Sequence, residues 1–205
     1  ARKKFLKSNR VEFKHILNYL HYQSIVHPKI SFKFISNNKE KLNYPIAKDV
    51  EHRLKAVFGS NFFKRDLIRI DVDKTRIKLK GYVGGLEEEP EGFSTYRYLF
   101  VNGRFIKDKV IYHSIKAAYK PFIQKLRIFK DKQTPPFILF LEVEPRLVDF
   151  NVHPSKLEVR FKDTSYVHNF VKNILTEKLL EYENDKFENI QKKIQSSNKM
   201  RSEER

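Results

Sequence analysis

The sequence predicts an α+β fold in which helices pack on one mixed β-sheet, and three observations point to it. LIRIDVD (67–73) and RIKLKGYV (76–83) alternate apolar and polar residues strictly, which is the period of half-buried strands. Apolar residues recur at helical spacing over 9–25, over 108–120 and from Thr164 onward. Between the last two, PFILFLEVEP (136–145) is apolar on both faces, as a strand in the middle of its sheet must be.

Taken in order, residues 9–25 place Phe13, Ile16, Leu17 and Leu20 on one helical face, with Asn9 and Glu12 spaced as a capping box and His27-Pro28 as the stop. ISFKFI (30–35) alternates as a strand, and SNNK after it reads as a turn. A short helix follows from Asp49 to Phe58, ended by Gly59. The two alternating runs at 67–73 and 76–83 are so closely joined that they predict an antiparallel hairpin. Gly84-Gly85 and the acidic EEEPEG (87–92) read as a loop, and TYRYLFVNGRFI (95–106) as strand turned at Asn102-Gly103. After the helix at 108–120, residues 126–136 read as a basic connection into the central strand. VDFNV (148–152) and LEVRF (157–161) are short alternating strands around HPSK. Val167, Phe170, Val171 and Ile174 mark a closing helix, and the polar sequence beyond Tyr182 is expected to fray into disorder.

Composition bounds the partners. With 205 residues, 40% hydrophobic and 14% aromatic, the chain can bury a core of its own. It lacks Cys, which excludes a disulfide framework and thiolate metal sites and points to a reducing compartment. No apolar run approaches the ~18 residues of a membrane span, and ARKK at the start is followed by no hydrophobic stretch, so a cytoplasmic protein without a membrane partner is expected. The chain begins at Ala1 rather than Met, as an excerpt of a longer protein would. A net charge of +17 costs stability through self-repulsion and makes nucleic acid the first partner to consider. A lysine-biased composition, seen also in the abundance of Asn, Ile and Phe, is the alternative source of part of that excess.

Two places carry candidate chemistry. Lys109, His113, Lys116 and Lys120 fall at i, i+4, i+7 and i+11, one stripe of a helix, while Ile111, Ile115, Ala118 and Phe122 lie about 200° away on the same wheel. With Arg104 and Lys107 leading in, this face has the form of a phosphate-tracking surface, or of a merely solvated helix face. Pro121 disfavours helical geometry at Lys120 and is expected to end the helix there. The second place is VDFNVHPSKLEVRF (148–161), where Asp149, Asn151 and His153 share one face of a strand before Pro154 turns the chain. One His and one carboxylate are too few ligands for a metal, so these four residues are expected to fix the loop by hydrogen bonds. Lys156, just past the turn, can project as a mobile point charge toward an anion. There is no Walker-type loop or GxGxxG, and Gly84-Gly85 leads into acid, the wrong charge for a phosphate cradle. No catalytic residues are assigned.

The runs VNGRFIKDKVIYHSIKAAY (101–119) and PPFILFLEVEPRLVDFNVHPSKLEVRF (135–161) resemble the MutL family of DNA mismatch-repair proteins, with NVHPSK the most specific part. ARKKFLKS (1–8) is similar to a segment late in that family's ATPase domain, and the resemblance runs from Ala1 to about Leu180. It implies that residues 1–40 are the last elements of a GHKL-type ATPase domain, of the class shared with gyrase B and histidine kinases. Residues 45–182 would then be a transducer domain with the fold of ribosomal protein S5 domain 2, and 183–205 a polar tail or linker.

The resemblance further implies that Lys156 contacts the γ-phosphate of ATP held next door. It puts Lys109 in a DNA-binding groove, with Arg104 close by; Lys107, Lys116 and Lys120 join that surface only through the stripe described above. The family's catalytic Glu and Mg-binding Asn precede Ala1, so this chain is expected to hold no cofactor and to hydrolyse nothing itself; ATP and Mg belong to the intact protein. The implied partners are DNA, a MutS-type mismatch-recognition protein and a second copy joined through the ATPase domains, in a bacterial cytoplasm at the nucleoid. A topoisomerase-type transducer and a ribosomal-type RNA-binding protein are the competing readings. The NVHPSK loop argues against the first, and a preference for structured RNA over duplex DNA would favour the second.

Overall fold

A computed structural model describes residues 8–86, 96–126, 134–152 and 156–203, and the chain divides into two compact units, 1–65 and 66–205. The acidic loop at 87–92, most of the basic connection at 126–136, and His153 and Pro154 therefore lie outside the described residues. The division falls at Arg65/Asp66, so the helix expected to open the second domain belongs to the first unit.

The first unit is helix α1 (Asn9–Val26), a hairpin of β1 (Phe32–Ser36) and β2 (Lys39–Tyr44), helix α2 (Val50–Phe58) and a 3-10 turn (Ser60–Lys64). Strand β2 was not expected, because LysGluLys hides an alternation in which only Leu42 and Tyr44 turn inward. The hairpin turns on Asn37 and Asn38 at φ 52° and 56°, the left-handed pair that a two-residue turn demands and Asn tolerates. The capping box at Asn9 and Glu12 does not form. Helix α1 begins one residue earlier, and the Ser8 carbonyl accepts the Val11 and Glu12 amides instead. Asp49 does cap α2, accepting the His52 amide at 2.9 Å.

Arg53 is the centre of this unit. Its side chain is fully buried, with Nη2 donating to the carbonyls of Pro28 (3.0 Å) and Ile30 (2.7 Å) and the guanidinium carbon 5.9 Å from the centre of the Phe32 ring and 5.6 Å from that of Tyr44. Phe13 and Phe34 are half-buried against each other at 5.8 Å.

The second unit carries the mixed sheet, in the order β3 (Leu67–Lys74), β4 (Ile77–Gly84), β7 (Phe137–Val143), β5 (Arg97–Val101), β6 (Arg104–Ile106). Neighbours pair antiparallel except β5 and β7, which run parallel. The doubly apolar strand is central, as its composition requires. Its Phe137, Leu139, Leu141 and Val143 face helices α3 (Lys109–Leu126) and α4 (Thr164–Glu203) in one core, with Ile111, Ile115, Ala118 and Phe122 from α3 and Val167, Val171, Leu175 and Leu179 from α4. On the other face Phe100 is buried, stacked on Phe140 at 5.0 Å and edge-on to Phe105 at 5.9 Å.

Three expectations needed correction. Helix α3 passes through Pro121 to Leu126, because Phe122 is locked in the core and Tyr119 donates its hydroxyl to the Gly84 carbonyl. Strands β8 (Val148–Asp149) and β9 (Arg160–Phe161) are only two residues each, less than the five that the alternation allowed. Helix α4 continues to Glu203 instead of giving way after Tyr182. No Gly or Pro interrupts it, and Tyr182 donates to the Asp66 carboxylate while Glu183 pairs with Lys125 at 2.7 Å.

Candidate nucleic-acid interface

The turn ahead of α3 is built into the sheet. Asn102, at φ 46°, donates Nδ2 to the Val143 carbonyl and accepts the Val143 amide on Oδ1, both at 2.8 Å, so a side chain extends the hydrogen bonding of β7. Gly103 follows at φ 74° and the chain returns as β6. This is what an Asn-Gly turn does, and it fixes where Arg104 emerges. Arg104 is exposed, and its guanidinium carbon lies 4.8 Å from the centre of the Phe150 ring.

Asp108 then starts the helix. Although largely buried, its Oδ1 accepts the Ile111 amide at 2.9 Å, the bond of an N-cap. Burial raises its pKa, the Ile111 and Val110 amides pull the other way, and the charge of Glu158 adds to the rise. A carboxyl raised in the folded state supports the fold fully below its unfolded pKa, about pH 4, and that support is lost as pH rises through the folded value. Asp108→Asn keeps the acceptor and removes the buried charge. It should match or exceed the parent's melting temperature at pH 7, with the difference vanishing toward pH 4, whereas Asp108→Ala should lose about 1 kcal/mol. A melt of the two variants and the parent across that range checks it.

Beyond Asp108, Lys109, His113, Lys116 and Lys120 are all exposed and Ile111, Ile115, Ala118 and Phe122 all buried, so the predicted wheel is the observed one. From Lys109 to Lys120 the stripe runs about 16 Å along the axis. Among the described residues no carboxylate lies within ion-pair distance of Lys107, Lys109, Lys116 or Lys120. The sheet surface is different, with Lys78 on Asp73 at 2.8 Å and Lys80 on Asp71 at 3.5 Å. Among the described residues the stripe lysines thus carry no ion pair, while Lys125 at the far end of α3 pairs with Glu183.

The loop after β8 meets this surface at its base. Asp149 accepts the Asn151 amide on Oδ1 at 2.8 Å, closing a turn where the sequence placed a continuing strand. Asn151 therefore does not share a strand face with Asp149, and its side chain is exposed. Lys156 is exposed at φ 52°, a left-handed conformation uncommon for a non-glycine residue. One residue on, the Leu157 carbonyl accepts the Lys107 amide at 2.7 Å. With Arg104 over Phe150, this ties the loop to the start of the basic helix at two points.

Sequence reasoning missed His168. It sits on α4 with Nε2 2.9 Å from His113 Nδ1, and only the packing of α3 on α4 brings the two together. Val167 beside it signalled the buried face, but nothing local identifies a partner 55 residues away.

The model of the family described as DNA mismatch repair protein, C-terminal domain, matches residues 54–180. The chain is 35% identical over 190 residues to the DNA mismatch repair protein MutL of Neisseria meningitidis serogroup C, covering 93% of this chain and 28% of that protein. It is 33% identical over 181 residues to MutL of Herminiimonas arsenicoxydans, covering 87% and 28%. It thus spans little more than a quarter of the length of these relatives. Among solved structures, the N-terminal domain of a DNA repair protein superposes with a TM-score of 0.65 at 20% identity, over 88% of this chain and 57% of that one. The B-subunit of DNA gyrase from Myxococcus xanthus superposes at 0.51 and 10% identity, over 82% and 55%. These two establish the fold class alone. The family match extends over more than half of the residues and takes in both the basic helix and the Lys156 loop, and by it the chain belongs to the MutL family of DNA mismatch repair proteins.

Proposed function

We propose that this chain acts in DNA mismatch repair as the transducer region of a MutL-type protein, resting on the DNA backbone through the exposed face of α3 and sensing nucleotide through Lys156. The observation that carries the reading is the row of cations, Lys107, Lys109, Lys116 and Lys120, that have no carboxylate partner among the described residues, in a chain of net charge +17. Point charges along one face bind phosphates without reading bases. In this reading residues 1–40 complete an ATPase domain, and ATP and Mg are held by residues outside this chain. A MutS-type protein and a second copy are the protein partners.

The experiment is duplex binding against salt. If Arg104 and the four lysines each meet a phosphate, the log–log slope for the 205-residue chain should be about −4.5 and the same for unrelated duplex sequences. Binding indifferent to salt would sink the reading, and tighter binding of structured RNA at equal salt would transfer it to the ribosomal-type alternative. For the nucleotide role, a protein extended to the length of its relatives should lose at least about tenfold in ATP turnover on Lys156→Ala, because a contact made only to bound nucleotide is removed. Lys156 is exposed, so the melting temperature should stay within about 2 °C. Unchanged turnover counts against a sensor.

A further inference from the structure

Helix α4 outlasts the core that it closes. Through Leu179 its apolar residues pack into the second unit, and Tyr182 and Lys186 still reach back to Asp66. From Phe187 to Glu203 it runs on for about 17 residues, roughly 25 Å. The ion pair described there, Lys192 with Glu188 at 3.9 Å, is internal to the helix. Helices owe most of their stability to the packing of an apolar face, and a segment this short has little of its own.

That stretch carries an apolar stripe. Phe187 and Ile190 are 63% and 56% exposed, and Leu180, two turns before Phe187, is 47% exposed. At about 100° per residue the three fall within an arc of roughly 80°, and in the sequence Ile194 continues the same spacing. Steps of seven and three residues are those of the seam by which two helices pack side by side. Glu183 falls in the same arc, where Lys125 of α3 holds it.

The charges along the same helix are sorted by sign. Residues 177–188 hold five carboxylates and two lysines, whereas 189–202 hold four cations and no carboxylate. The two stretches meet between Phe187 and Ile190, in the middle of the stripe. Two such helices packed in parallel would set acid on acid and base on base. Packed antiparallel about that point, each acidic stretch lies along the basic stretch of the other. Chains of net charge +17 repel as wholes, but at 0.1 M salt that repulsion is screened beyond about 10 Å, and charges across a helix pair are closer than that. Glu181 already meets Lys178 at 2.6 Å and Glu188 meets Lys192, exposed pairs of the kind that exchange at little cost.

We infer that the projecting half of α4 is a self-association surface, on which a second copy of this chain lays its own α4 antiparallel, with Phe187 and Ile190 of both copies at the centre. A stripe whose two flanks carry opposite charge is complementary to itself turned end for end, and this makes a second copy the occupant. The contact is separate from any joining through ATPase domains, and it needs neither the DNA-binding nor the nucleotide reading. Three large side chains from each copy place it at the small end of specific interfaces, so the pair is weak and reversible.

The test is sedimentation equilibrium of the 205-residue chain at 0.1 M salt, which should show monomer and dimer in reversible exchange with a Kd on the order of 50 μM. Phe187→Ser with Ile190→Ser should raise that Kd at least about tenfold. Both side chains are exposed, so the melting temperature of the core should hold within about 2 °C. Glu177→Lys, Glu181→Lys, Lys192→Glu and Lys193→Glu together keep the net charge at +17 and remove the sorting, and should raise the Kd about fivefold. A chain that stays monomeric to about 500 μM overturns the inference. So does a dimer that the Phe187 and Ile190 variant leaves intact, since it would use another surface. A charge-exchanged variant that pairs as tightly as the parent, or more tightly, overturns the antiparallel fit. A monomer that instead binds anionic vesicles through Phe187 and Ile190 gives the stripe to a lipid surface and sinks the inference as well. None of these outcomes bears on duplex binding, whose failure is read separately from its salt dependence.

Discussion

Gly81→Ala should unfold or nearly unfold the second unit, with a loss of at least about 4 kcal/mol. Gly81 lies in the middle of β4, paired with Ile70 on one side and Leu139 on the other, at φ +131°. A Cβ there would stand 2.0 Å from the Ile138 carbonyl oxygen and within 3.1 Å of the Leu139 Cα. Those atoms are backbone of the central strand, so relief requires β4 and β7 to part rather than a side chain to swing aside. Gly103→Ala is the control. Its φ of +74° is also left-handed, but nothing lies within 4 Å of the added Cβ, so only backbone strain of about 1 kcal/mol applies. Thermal melts should place Gly103→Ala a few degrees below the parent and Gly81→Ala more than about 10 °C below it. Equal melting temperatures for the two would mean that β4 and β7 are not joined in the observed register.

The features that sequence revealed are those set by local period. Strict alternation placed β3 and β4, the continuous apolar run placed β7 at the centre, and helical spacing separated the buried face of α3 from its lysines, because each signal is written in neighbouring residues. What was hidden depended on distant groups. The charged run of β2 is a strand because it pairs with β1, with Leu42 buried and Tyr44 reaching His21 of α1 and Arg53 of α2. Pro121 fails to stop α3 because Phe122 is held by the core, and tertiary packing outweighs a local preference. Arg53 reads as an ordinary helix cation until the carbonyls of Pro28 and Ile30 are seen to enclose it. In the candidate site the stripe was legible and the loop less so, since Asp149 takes the Asn151 amide and ends the strand that alternation would have continued. His168 became part of the site only through the packing of two helices.

Reversing the three stripe lysines together, Lys109→Glu, Lys116→Glu and Lys120→Glu, should reduce duplex affinity about a thousandfold at 0.1 M salt and flatten the salt slope by about 3. Each lysine displaces close to one counterion from the backbone, so removing three takes that many powers of the salt dependence away. The new carboxylates then repel the phosphates that remain. Helix α3 should tolerate the change, because the three positions are exposed and Glu at 109 sits in the first turn, where the helix dipole favours an acid. A general effect of charge is separated by a matched variant, Lys39→Glu, Lys41→Glu and Lys48→Glu, at exposed positions of the first unit. Both variants lower the net charge of +17 by six, so a protein that binds DNA through its overall field would lose equally in the two. Long-range attraction is screened over about 10 Å at this salt, whereas direct contact with a phosphate is not, and only a reversal at the true surface removes contacts. The matched variant should therefore lose no more than about tenfold and keep the parent's slope within about one. Equal losses would show that α3 has no privileged role, and the lack of carboxylate partners for its stripe lysines among the described residues would need another explanation.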